Sequence, residues 1–90
     1  MVLEKRFKRE LQGFKILDNY IQKSSITGED IEYMIVEIGG HYFAFSYLHY
    51  YVVTENDSPS RDAYAITPSK AFNRRTFTDY LRELRIKYEK

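Results

Sequence analysis

The stretch Ile31-Glu32-Tyr33-Met34-Ile35-Val36-Glu37-Ile38-Gly39-Gly40-His41-Tyr42-Phe43-Ala44-Phe45-Ser46-Tyr47 decides how this chain folds. Two runs rich in β-branched and aromatic residues flank a pair of glycines. Both glycines accept positive φ at no steric cost, so the stretch reads as a β-hairpin with a two-residue turn. Such a turn fixes the register. Ile38 then faces His41, Val36 faces Phe43 and Met34 faces Phe45, an apolar set that predicts the core side. The other side pairs Glu37 with Tyr42, Ile35 with Ala44 and Tyr33 with Ser46. That set is mixed, as in a sheet face partly open to water.

Downstream, Leu48 to Thr54 is again strand-like. One strand from His41 to Thr54 would be unusually long, so a bend near Leu48 is expected. Glu55 to Ser60 has loop composition, and Asp62 to Ile66 reads as a last short strand. Thr67-Pro68 reads as a helix start interrupted at Asn73. Thr76 is the expected cap of a final helix, with Asp79 in the capping-box place. Phe77, Tyr80, Leu81, Leu84 and Tyr88 make its apolar face.

Upstream, Leu3, Phe7, Leu11 and Phe14 form one helical stripe. Lys5, Arg6, Lys8 and Arg9 lie off it. Gly13 suits a C-terminal cap, so the helix is expected to end near Gln12. A single helix to about Gln22 also fits the stripe, which continues through Leu17 and Ile21. Helix followed by a strand over Phe14 to Ile21 is preferred, because an interior Gly13 costs about 1 kcal/mol relative to Ala. Lys23 to Asp30 is loop chemistry. The expected fold is a single α+β domain over residues 1–90: a small antiparallel β-meander of three to four strands, with an N-terminal and a C-terminal helix packed on one face.

Ninety residues fit one domain with a thin core, and the 43% hydrophobic content suffices to fold it. No cysteine is present. Small secreted domains usually carry disulfides, so a reducing, cytoplasmic setting is expected. The N-terminal residues are interrupted by charge and lack the apolar run of a signal peptide. The apolar-rich stretch Tyr42 to Val53 is far short of the roughly 20 residues a membrane helix needs, so no membrane association is expected. The net charge of +1 conceals an asymmetry. Residues 1–15 carry +3, residues 16–60 carry −6 and residues 61–90 carry +4.

Signals for catalysis are weak. His41 and His49 lie too far apart along a strand to serve one bond or one metal ion. No serine sits in a glycine-flanked elbow. Gly39-Gly40 leads into a strand, which is not the context of a phosphate loop. No metal, cofactor or catalytic residue is assigned, and a non-enzyme is preferred over an enzyme without closing the question.

Nine tyrosines in 90 residues are the least ordinary feature. Tyr42, Tyr47, His49, Tyr50, Tyr51 and Tyr64 are the protein-interaction candidates, because exposed Tyr is typical interface material. Neighbouring Glu32, Glu37 and Glu55 are expected to repel phosphate from that surface. The leading expectation is a non-enzymatic protein-interaction domain, binding a partner or itself, such as an accessory or inhibitor protein of phages and mobile elements. The alternative is nucleic-acid binding by the basic terminal helices, through Lys5, Arg6, Lys8, Arg9, Arg74, Arg75, Arg82, Arg85 and Lys87. A small ribonuclease is a third reading.

Overall fold

The structure, a computed structural model, describes residues 1–61 and 69–89. Five strands, β1 (Lys15–Lys23), β2 (Asp30–Ile38), β3 (His41–Tyr47), β4 (Tyr51–Asn56) and β5 (Lys70–Phe72), lie in one antiparallel sheet in chain order. The helices are α1 (Val2–Arg6) and α2 (Arg74–Tyr88). The α+β meander is as expected, with one strand more than anticipated. The addition is β5, which pairs with β4 at Tyr51, Val52 and Val53. The strand expected over 62–66 and the helix start at Thr67-Pro68 lie outside the described residues, but the helical turn expected to run on to Asn73 is replaced by β5, which pairs with β4 instead.

The glycine hairpin keeps the register its turn dictates. Ile38 pairs with His41, Val36 with Phe43 and Met34 with Phe45. Gly39 and Gly40 both have positive φ, 56° and 83°. Met34, Val36, Ile38, Phe43, Phe45, Tyr51 and Val53 therefore share one face and are buried beneath both helices. The chain bends at residues 48–50, where a bend near Leu48 was expected.

Phe77 of α2 centres this core. Its ring lies 4.9 Å from Phe7, 5.3 Å from Phe45 and 4.8 Å from Tyr51, centroid to centroid. Such aromatic pairs add about 0.5–1.5 kcal/mol beyond area burial. Leu81 and Leu84 complete the buried stripe of α2, with Tyr80 and Tyr88 partly buried at its edges.

The N-terminal stripe survives although the helix does not. Leu3, Phe7, Leu11 and Phe14 are all buried, yet α1 stops at Arg6 and turns carry the chain to Gly13. A regular helix would bring Lys5 against Lys8 and Arg9, and Arg6 against Arg9. Like charges at those spacings disfavour it. The rival reading of one helix to Gln22 is excluded by β1. Glu32, a buried acid facing the helices, accepts hydrogen bonds from the N–H of Val2 (2.8 Å) and of Leu3, and from Asn19 Nδ2 (3.1 Å). A sheet carboxylate thus satisfies the orphan donors that open α1.

The cap of α2 also differs from expectation. Asn73 is the N-cap, its side chain accepting from Thr76 N while Thr76 Oγ1 accepts from Asn73 N. Thr76 is the third helical residue and the reciprocal partner, and Asp79 instead sits 3.9 Å from Arg82. Asparagine caps as well as serine or threonine does, and here the short strand before it sets the entry point.

Candidate functional site

The meander brings the β1–β2 loop (24–29) and the β3–β4 turn (48–50) to the same end of the sheet. Ser24 organises the first. Its N–H donates to Glu29 O (2.8 Å), its carbonyl accepts from Gly28 N (2.9 Å), and its hydroxyl accepts from the N–H groups of Ile26 and Thr27. The tip so held presents Ile26, which is 93% exposed. The second connection presents Tyr50, 57% exposed. His49 Nε2 lies 3.4 Å from Glu29 Oε2 and ties the two connections together. Beside Tyr50, a hollow of about 170 Å³ is lined by Ile31, Ser46, Leu48, His49 and Val52. Ile21, also exposed, pairs with Glu32 near the same end.

Of the five interaction candidates among the described residues, only His49 and Tyr50 come together here. Tyr42 is half-buried, on the face away from the helices and toward the opposite end, across from Glu37 and Asn56. Tyr47 faces the helices and stacks on Tyr51 with centroids 4.5 Å apart. Tyr51 is 2% exposed and is a core residue, which corrects its reading as a surface contact. It pairs with Tyr47 beyond the bend, and that pairing turns both rings toward the helices. Tyr64 lies outside the described residues.

The supposed acidic, Tyr-rich sheet surface also dissolves. Glu32 is buried beneath α1, and Glu55 faces the helix side, 3.5 Å from His41 Nδ1. Only Glu37 of the three shares a face with Tyr42. Nearby on that face, Arg61 is ion-paired with Asp18 (Nη2–Oδ1 3.0 Å) and lies 3.9 Å above the Tyr20 ring, itself stacked on Tyr33. The Arg61 hydrogen bond holds the Asp18 carboxyl below its ordinary value, against the smaller opposing effect of burial.

Among the basic candidates, Arg6 is diverted inward. It donates to the hydroxyls of Tyr51 (2.8 Å) and Tyr47 (3.3 Å), which raise its pKa further, Tyr51 most. Lys5, Lys8, Arg9, Arg74, Arg75, Arg82 and Lys87 are exposed, and Arg85 is partly so.

On the other side of α2, a groove of about 490 Å³ has Phe43, Val53 and Leu84 in its floor, with Glu55, Lys70, Glu83 and Lys87 at its rim. Tyr80 in its wall has its phenol pushed above the ordinary value, chiefly by burial. The ribonuclease reading gains no support from the histidines, since His41 and His49 sit at opposite ends of β3. Among the described residues no helix is long and apolar enough to cross a membrane, and no three His, Cys, Asp or Glu side chains gather as metal ligands.

Sequence reasoning missed Ile26, Ile31, Leu48 and Glu29. A signal was present for Ile26. A β-branched apolar residue between Ser25 and Thr27-Gly28 is out of place in turn chemistry. The sequence matches no protein-family model, and no curated protein or solved structure matches the chain.

Proposed function

We propose that this domain is a non-enzymatic protein-interaction module that docks a partner at the loop end, through Ile26, His49 and Tyr50. A reducing, cytoplasmic setting belongs to the same reading, as does an accessory or inhibitor role. The observation that carries it is the exposure of two large side chains, Ile26 and Tyr50, on connections that approach each other at His49 and Glu29. Exposed apolar groups cost solvation unless a partner covers them, and a rigid aromatic anchor beside a shallow hollow loses little entropy on binding.

The test is site-specific photocrosslinking in host cells, with a benzophenone amino acid at position 50 and a control at position 79. A discrete adduct from position 50 alone, lost on Ile26→Asp, supports the reading. An adduct of twice the chain mass identifies self-association, and any other mass identifies a distinct partner. No adduct, or equal adducts from both positions, overturns the reading.

A further inference from the structure

The two flanks of α2 differ in kind. At 100° per residue, Arg74, Thr78, Arg85, Arg82 and Arg75 fall on one side of the buried stripe, and Tyr80, Glu83 and Lys87 fall on the other. The second side overlooks the groove above β4 and β5. The first overlooks the N-terminal segment. Phe7 packs on Phe77, the carbonyl of Arg9 accepts from Arg85 Nη1 at 3.4 Å, and the Glu89 carboxylate lies over Gly13. Segment and helix therefore run side by side in the same direction. Lys8 and Arg9 belong to the stretch of chain that runs beside the flank holding four arginines.

Two adjoining hollows run along this flank and share Arg82. One is bounded by Arg74, Arg75, Thr78 and Asp79, and the other by Arg85, Ile86 and Glu89. Two carboxylates of the described residues stand at its margins, Asp79 at 3.9 Å from Arg82 and Glu89 at 3.4 Å from Arg85. Lys8, Arg9, Arg74 and Arg75 make no ion pair among the described residues. Six cations along one edge repel one another, a cost that a polyanion removes.

We infer that this flank binds the phosphate backbone of double-stranded nucleic acid, without reading its sequence. Arg74 to Arg85 spans about 16 Å of helix, long enough to reach several successive phosphates of a duplex backbone. Guanidinium is the group suited to forked contact with phosphate oxygens. Single strands are held by stacking bases on aromatic rings, and among the described residues this flank exposes none. Tyr47 lies below Arg6, and Tyr80 faces the other groove. Ile86, 83% exposed, is a lone apolar group here, less than membrane insertion requires.

The experiment is fluorescence anisotropy of a labelled 20-base-pair DNA duplex at about 50 to 200 mM salt, with single-stranded DNA of the same sequence and phosphatidylserine vesicles as rival ligands. The expected result is duplex binding that weakens with salt at a log–log slope of about −5 for six contacts, and is insensitive to base sequence. Arg75→Ala with Arg82→Ala, both solvent-exposed positions, flattens the slope by about 2 while the urea midpoint stays put. Lys8→Ala does so by about 1. Absent duplex binding at the lower salt, tighter binding to the single strand or to vesicles, or an unchanged slope in the double variant each overturns the inference. Ile26→Asp leaves duplex binding intact, so failure here and failure of the loop-end reading are separable.

Discussion

The Glu32 carboxylate accepts the backbone N–H of Val2 at 2.8 Å, so a residue of the second strand closes the first turn of a helix 30 positions earlier. Removing it strands the Val2 and Leu3 donors and the Asn19 amide. Glu32→Ala is expected to cost about 2–3 kcal/mol, as charge-assisted bonds in partly buried sites do. Glu32→Gln keeps an acceptor and costs less. Urea denaturation measures both, and equal losses would mean that the full carboxylate, and not merely an acceptor in that place, holds the turn.

Tyr50 and Tyr51 are neighbours with opposite fates. Tyr51→Ala removes a ring from the centre of the core and is expected to cost about 3–5 kcal/mol. Tyr51→Phe loses only the hydrogen bond from Arg6, about 0.5–1.5 kcal/mol. Tyr50→Ala changes stability by less than about 0.5 kcal/mol. The thermal midpoints of the three variants should fall in that order, with Tyr50→Ala at wild type.

The hairpin turn separates two glycines by their surroundings. At Gly40 an added methyl meets nothing within 4 Å, whereas at Gly39 it runs into the Tyr88 carbonyl at the end of α2. Gly40→Ala incurs the left-handed backbone penalty alone, about 1–2 kcal/mol. Gly39→Ala incurs that penalty and also displaces the helix end. A chemical-denaturation midpoint clearly lower for Gly39→Ala than for Gly40→Ala checks this contact.

Asp18 ties Arg61 to the first strand, and its depressed pKa fixes the sign of a pH effect. A carboxylate whose folded pKa lies below its unfolded value stabilises the fold above the unfolded pKa. That contribution disappears as pH falls through the folded pKa. The Asp18–Arg61 contribution is thus present at neutral pH and lost below about pH 4. Carbon-detected carboxyl titration should place Asp18 below the ordinary aspartate range, and Arg61→Ala should return it upward. An unmoved titration would show that Arg61 is not the cause.

The hairpin, its register, the bend at Leu48 and the buried stripe of α2 were legible in the sequence, because glycine conformation and side-chain periodicity are local properties. What was not legible depended on partners far along the chain. Glu32 reads as a solvated acid until α1 is laid across it. Tyr51 reads as a surface tyrosine until the 48–50 bend turns it toward Phe77. Asn73 looked like a helix interruption, because the strand that delivers it as a cap is only three residues long. Tyr51, among the surface candidates, was misplaced for the same reason. Which face a tyrosine takes, and which acid lies beside it, follows from tertiary placement and not from composition.

The sequential order of the sheet also bears on how the chain is made. Each strand pairs with the one synthesised just before it, so hairpins can close as the chain lengthens, at low loop-closure cost. The lid on the core comes last. Until residues 74–88 leave the ribosome, Phe7, Phe45 and Tyr51 lack the ring of Phe77 that joins them. The nascent sheet then carries a bare apolar face, the kind of surface that draws chaperones or aggregates.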